Sequence, residues 1–389
     1  MATVSVASNK PHVHAQTRRI PWYLWCVTVA VTSVAIGAHW DVSWHRSIGR
    51  DSFWTPAHIA IYACGVLAGI ACGYLVFATN ILRKPEFVAS SVQVFGLRAP
   101  LGAFLAAWGG IAMLTSAPFD NWWHNAYGLD VKIISPPHVV LTIGIFAICL
   151  GSLILLIGLM NRSEGRQHRQ LQWMILYIGG MMLILNMFFR MEYSWDIYLH
   201  NSVAYKAMAL GVPLYLAMLW QASRFRFAST VEAAIYTLFV IGLILILPLF
   251  PASPRLGPVL HPVTQFIPPK FPILLIVPAF ALDLLWWRTR QWNAWLVALV
   301  SGPVFILTLL AVQWPFANFL MSKAAENRFL GTGYFQYFEP STSPDVLRVF
   351  VHPQHGLQLW IGLLLAMFYA SVCVFLGQKL GGWMREVKR

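Results

Sequence analysis

Charge is scarce in this sequence. Only 11% of its 389 residues are Asp, Glu, Lys or Arg, and 58% are hydrophobic, a balance that excludes an ordinary soluble domain. Cysteine is nearly absent as well: all five, Cys26, Cys64, Cys72, Cys149 and Cys373, fall inside long apolar runs, where a thiol is a small packing residue. That placement excludes a disulfide framework and a cysteine-based zinc site. The first twenty residues lack the basic, apolar, small-residue order of a cleavable signal, so the first apolar run is expected to be retained. No Walker loop, dinucleotide fingerprint, paired-histidine haem signature or nucleophile elbow stands out, which leaves the chemistries those motifs serve without support.

What the chain has in abundance is apolar runs long enough to cross about 30 Å of hydrocarbon as helices. They lie at 21–38, 57–79, 99–117, 136–160, 171–189, 203–221, 231–250, 271–287, 292–313 and 357–377. The expected fold is therefore all-α, a polytopic integral membrane protein of about ten transmembrane helices arranged as repeated hairpins. Placing the N-terminal tail inside puts 17 of the 27 Lys and Arg residues on the inner side, so both termini are expected to be cytoplasmic, in a cell (inner) membrane. The net charge of +13 is spread over short inner loops and both tails, where anionic lipid head groups are the nearer partner and nucleic acid is not expected. The chain divides into a tail (1–20), a four-helix region (21–160) and a six-helix region (161–389).

Nine of the fourteen acidic residues collect in the outer turns, and two of those turns share one grammar. The first, DVSWHRSIGRDSFWTPAH (41–58), and the second, DNWWHNAYGLDVKIISPPH (120–138), each read Asp, three residues, His, a polar turn with Gly and Asp, then Pro-x-His. Asp41 and His45 stand four apart, as do Asp120 and His124, so each pair shares one helix face. Thr55-Pro56 and Ser135-Pro136 supply an N-cap and first helical position, making His58 and His138 the third residue of the next helix. A hairpin can fold each second histidine back onto its Asp and His pair, leaving a carboxylate and two imidazoles with an open position. Such sites suit zinc, copper or non-haem iron. The three ligand types recur at offsets of 79, 79 and 80 residues (Asp41 to Asp120, His45 to His124, His58 to His138), which favours metal binding over turns that merely hydrogen-bond water.

Weaker echoes follow. Asp196 and His200 stand four apart beside Glu192 and Arg190, as a third site or an interfacial network; Pro353-x-His355 follows His352 without an Asp and His pair; and Lys270 stands where a ligand histidine would. His12, His14 and His168 read as solvated, and Asp283 as a structural ion pair with Arg288 or a snorkelling side chain. Trp44, Trp122 and Trp123 are placed to wall a metal pocket.

Through D..WH..I.RD.F.TP.HI..Y, from Asp41 to Tyr62, the sequence resembles the C subunit of the copper membrane monooxygenases, the particulate methane and ammonia monooxygenases. The resemblance covers about residues 20–160 and implies copper at Asp41, His45 and His58. The second turn is similar to that family's second site, an Asn, three residues, a His, thirteen residues and a His, here with Asp120 in place of asparagine before His124 and His138. An added anionic ligand favours a harder or more oxidised metal, so zinc and iron stand beside copper. The resemblance implies a monooxygenase, or a subunit of one, in which dioxygen hydroxylates a small apolar substrate at an outer-face site. Arg50 and Asp51 would be catalytic groups that orient an imidazole or relay protons. Partners would be other monooxygenase-type subunits or further copies of the chain. The alternative is a non-catalytic protein that binds, stores or transports copper, iron or zinc, or a structural subunit of a membrane complex.

Overall fold

A computed structural model describes residues 19–49, 51–128, 135–255, 257, 259–260, 262–327, 329–330 and 353–388. Arg50, Asp130, His12, His14 and His352 lie outside the described residues.

The long apolar runs are helices, because a backbone amid hydrocarbon can satisfy its N–H and C=O groups only within its own segment. Among the described residues nine helical stretches are long and apolar enough to cross a membrane. They are α1 (Trp22–Ser47), α2 (Pro56–Asn80), α4 (Leu101–Tyr127), α5 (Pro136–Met160), α6 (Gly165–Phe188), a broken α7–α8 (Ser202–Ala209, Val212–Ser223), α9 (Ala228–Ile246, continued by a 3-10 turn), α11 (Ala294–Leu320) and α12 (Gly356–Met384). A short helix α3 (Pro85–Ala89) and an antiparallel hairpin, β1 (Val92–Val94) and β2 (Leu97–Ala99), join α2 to α4.

The eighth apolar run, 271–287, differs from expectation. Its helix, α10 (Ile276–Arg288), has 13 residues, about 20 Å at 1.5 Å per residue. Prolines 268, 269 and 272 keep the chain before it extended. That extended segment lies against the C-terminal end of α1: Ser43 Oγ donates to the Ile267 carbonyl at 2.5 Å, Ser47 Oγ accepts from Ile267 N at 2.7 Å, and Arg255 N donates to the Ile48 carbonyl at 2.8 Å.

The break between α7 and α8 falls at Gly211, whose φ of 122° suits glycine. Arg190 fills it, donating to the carbonyls of Asn186 and Ala207 at 2.8 Å each and to that of Leu210. Its role is to cap two helix ends, not to pair with Glu192. Asp283 likewise departs from the expected ion pair with Arg288. Buried on α10, it accepts from Thr230 N at 2.8 Å, Thr230 Oγ1 at 2.6 Å and Ser229 N at 3.3 Å, so it caps the N-terminus of α9 from a neighbouring helix. His168, expected to be solvated, approaches the carbonyls of Met160 and Ser163 through Nδ1, each at 3.2 Å.

Helices α1 and α2 pack as one antiparallel hairpin and α4 and α5 as another, with α2 against α4. Both hairpins draw their backbones together through small residues, as membrane helices do where lipid offers no hydrophobic drive. A Cβ on Gly109 of α4 would lie 2.6 Å from the Gly144 carbonyl oxygen of α5. One on Gly37 of α1 would lie 2.8 Å from Ile61 N and 2.9 Å from the Ala57 carbonyl oxygen of α2. The antiparallel arrangement brings the C-terminal ends of α1 and α4 and the N-terminal ends of α2 and α5 to the same end of the bundle.

Candidate metal centres

Both ligand sets assemble at that shared end. In the first, Asp41 and His45 occupy the last turns of α1, and His58 is the third residue of α2. His45 Nε2 lies 3.8 Å from Asp41 Oδ2, and His58 Nε2 lies 3.2 Å from Asp41 Oδ1. In the second, His124 Nε2 is 3.3 Å from Asp120 Oδ2 and His138 Nε2 is 3.5 Å from Asp120 Oδ1. Asp120, His124 and His138 each offer a ligand atom within 4.8 Å of the others, as do Asp41, His45 and Asp51.

Asp51, expected to orient an imidazole or relay protons, stands against both imidazoles. Its Oδ2 lies 3.3 Å from His45 Nε2 and 3.1 Å from His58 Nε2, between the two imidazoles. Burial works against its charge, but hydrogen bonds from His45 and His58 outweigh that and hold its carboxyl well below the usual carboxylate range. The first centre thus gathers two carboxylates and two imidazoles. Asp130 stands at the corresponding offset in the second turn (51 to 130, again 79 residues).

A further repeat concerns the first histidine of each turn. His45 Nδ1 faces the Gly49 carbonyl at 3.1 Å, and His124 Nδ1 faces the Gly128 carbonyl at 3.3 Å. Each glycine is four residues after its histidine, at a φ of 92° or 101° that glycine adopts without strain. A carbonyl can only accept, so Nδ1 carries the hydrogen and Nε2 is turned toward the carboxylates. Fixing a ligand's other ring nitrogen in this way is the usual support of a metal-binding imidazole. Gly49 and Gly128 were visible in the sequence at the same 79-residue offset, and they are the signal that spacing of acids and histidines alone passes over.

The donor set fits a cation by a second test. Asp41 Oδ1 and Asp120 Oδ1, equivalent atoms of the two centres, are buried and face an imidazole Nε2, of His58 at 3.2 Å and of His138 at 3.5 Å. A buried anionic oxygen is costly unless a positive charge meets it.

Local caps differ between the turns. Ser135 accepts from His138 N at 3.4 Å as an N-cap, whereas Thr55 accepts from Ser52 N at 2.8 Å within the loop before α2. Of the expected aromatic walls, Trp44 packs on Phe266 of the extended segment at 5.8 Å, and Trp123 packs on Tyr127 at 4.4 Å.

The weaker echoes do not form comparable centres among the described residues. Both ring nitrogens of His200 are engaged, Nε2 with Asn318 Oδ1 at 2.7 Å and Nδ1 with the Asp196 carbonyl at 3.2 Å. His355 is exposed at the N-cap of α12. Lys270 Nζ is buried without a hydrogen-bond acceptor, 2.6 Å from the ring centroid of Trp195. Burial and the Arg46 charge push the amine well below its usual value, against the pull of Asp196 and Glu192. The unfolded lysine titrates near its ordinary value of about 10.4. Between the lowered folded value and that one, the unfolded chain binds more protons, so stability rises with pH across the window. Lys270→Met is expected to raise stability at neutral pH by about 1–3 kcal/mol and to remove that alkaline rise. Apparent melting temperatures of both proteins across pH check this, and an unchanged slope in the variant would show that Lys270 stays charged.

No family model matches the chain, and neither a curated protein nor a solved structure matches it.

Proposed function

We propose that the chain is a membrane-bound metal protein, a copper-dependent monooxygenase or a subunit of one, which uses dioxygen to hydroxylate a small apolar substrate. The observation that carries this reading is the repeated centre, in which an Asp and His pair on one helix and a His on the next converge through a buried carboxylate oxygen. Asp41, His45, His58 and Asp51 would hold one ion, and Asp120, His124 and His138 the other. A bound transition metal would supply Lewis acidity and redox chemistry toward dioxygen. The chain's own residues fix imidazole direction through Gly49 and Gly128 and keep anionic charge at the ion. Apolar helices around the centres give a bilayer-soluble substrate a route to them. The resemblance of the first turn to the monooxygenase C subunits supports copper; Asp120 and Asp51 as added anionic ligands favour zinc or iron beside it. The charge distribution supports cytoplasmic termini in a cell membrane with both centres at the outer face. Partners would be monooxygenase-type subunits or a second copy.

A second reading, a protein that binds or passes metal without catalysis, is favoured by the partial exposure of His45, 38% of its side chain, because exchangeable ions need an open ligand. One experiment tests both readings. The purified protein is offered copper, zinc and iron in competition, its metal content is measured by mass spectrometry, and oxygen uptake is followed with short apolar substrates and a chemical reductant. The expected result is copper at both centres, loss of the first ion in the combined His45→Ala and His58→Ala variant, and oxygen uptake that needs the metal. Metal bound with no oxygen uptake supports the handling role. Full metal content in the double variant would remove the first centre.

A further inference from the structure

Away from both centres, α9 carries a carboxyl that nothing in the proposed function uses. Glu232 is fully buried, and neither Oε1 nor Oε2 has a hydrogen-bond partner. The acid nearest to it by hydrogen bonding along the helix, Asp283, meets the backbone of Ser229 and Thr230. The two acids are treated very differently by their surroundings. Asp283 accepts from Ser229 N, Thr230 N and Thr230 Oγ1 at the N-terminus of α9, where backbone donors and the helix dipole accommodate a negative charge. Glu232 is one turn further along the same helix, past those donors, with no cation beside it. Two neighbouring carboxylates cannot both stay ionised without compensation, and the one lacking donors is the one that keeps its proton.

We propose that Glu232 is a proton-binding site within the membrane, held as the neutral acid beside Asp283. Ionisable side chains at such depth are rare and mark proton or ion pathways. A cavity of about 810 Å3 among α1, α6 and α9 reaches Val231 and Ile235 on neighbouring turns of α9, and Glu232 itself is buried behind that wall. Thr32 Oγ1 and the Tyr177 hydroxyl, also on the wall, are hydrogen-bonded to each other at 2.8 Å. The site rests on no metal and stands or falls apart from the function proposed above.

The test uses the whole protein in detergent. A lipophilic carbodiimide reacts with a protonated carboxyl by addition: the acid proton moves to one carbodiimide nitrogen, the carboxyl oxygen bonds the central carbon, and acyl migration gives a stable N-acylurea with no leaving group. Mass spectrometry is expected to find the adduct on Glu232 above the pH at which water-exposed carboxyls are ionised, and to find none at that position in Glu232→Gln. Infrared spectroscopy of the unmodified wild type under the same conditions is expected to show the carbonyl band of a protonated carboxyl, shifted by incorporation of carbon-13 glutamate. The band reports the proton and the label reports access. A wild type without the band, or a band that the isotope leaves in place, overturns the proposal even if Glu232→Gln fails to fold. Protection from the label by sodium but not potassium also overturns it, by making a metal ion the ligand.

Discussion

Gly37→Leu is expected to empty the first centre and leave the second loaded. A side chain at position 37 meets Ile61 N and the Ala57 carbonyl oxygen, both backbone atoms of α2, so no rotamer change relieves the clash. The helix itself must move. His58 lies between those two contacts on α2, and Asp41 lies one turn after Gly37 on α1. Their 3.2 Å approach depends on the interhelical distance that Gly37 permits. Overpacking of this kind costs about 1–3 kcal/mol of stability, and displaced ligands cost metal affinity besides. Gly69→Leu, on the other helix of the hairpin and with nothing within 4 Å, is the control and should bind metal as the wild type does. Metal content of the three proteins decides the matter. Retention of both ions in Gly37→Leu would mean that the hairpin's spacing does not set the centre.

Asp51→Asn is expected to weaken the first-centre metal by about 10–100-fold, read by chelator competition in a background lacking the second centre through His124→Ala and His138→Ala. The argument is geometric: one oxygen of Asp51 sits between both imidazole Nε2 atoms, so the carboxylate is in place either to bind the ion or to hold the two rings around it. His45 meets an acceptor at each nitrogen, Gly49 O at Nδ1 and carboxylates at Nε2, so loading a cation must displace the Nε2 proton. Asp51 stays ionised far into acid. The acid limit of metal loading therefore belongs to the histidines, and occupancy should fall as they protonate. Affinity unchanged by Asp51→Asn would return the residue to an outlying role.

Much of this arrangement could be read from the chain alone, and the misses share a cause. Apolar runs foretold nine crossing helices because length and hydropathy are local properties. The run at 271–287 fell short because prolines 268, 269 and 272 shorten its helix, and a hydropathy window does not weigh proline. The ligand triads were legible because Asp41 and His45, and Asp120 and His124, lie within one helix, where spacing alone fixes the face. That Asp51 reaches both imidazoles could not be read from spacing, because its position depends on the turn after α1, where Gly49 takes a positive φ. Asp283 was assigned to the nearest arginine in sequence, while its partners are backbone donors 53 and 54 positions away on another helix. Nothing local distinguishes an acid that caps a neighbouring helix from one that pairs within its own.

The carbonyl anchors of His45 and His124 carry a consequence for electron distribution. An imidazole whose Nδ1 hydrogen points at a carboxylate takes on imidazolate character and pushes electron density through Nε2 onto a bound ion. A peptide carbonyl is a weaker acceptor, so His45 and His124 would push less. A copper ion held by them would keep more of its electron demand and favour its reduced state more than one backed by carboxylate-bonded rings. Replacing the glycine turn by one that brings an acid to Nδ1 should lower the reduction potential of that ion, which ties the backbone path at Gly49 and Gly128 to redox poise.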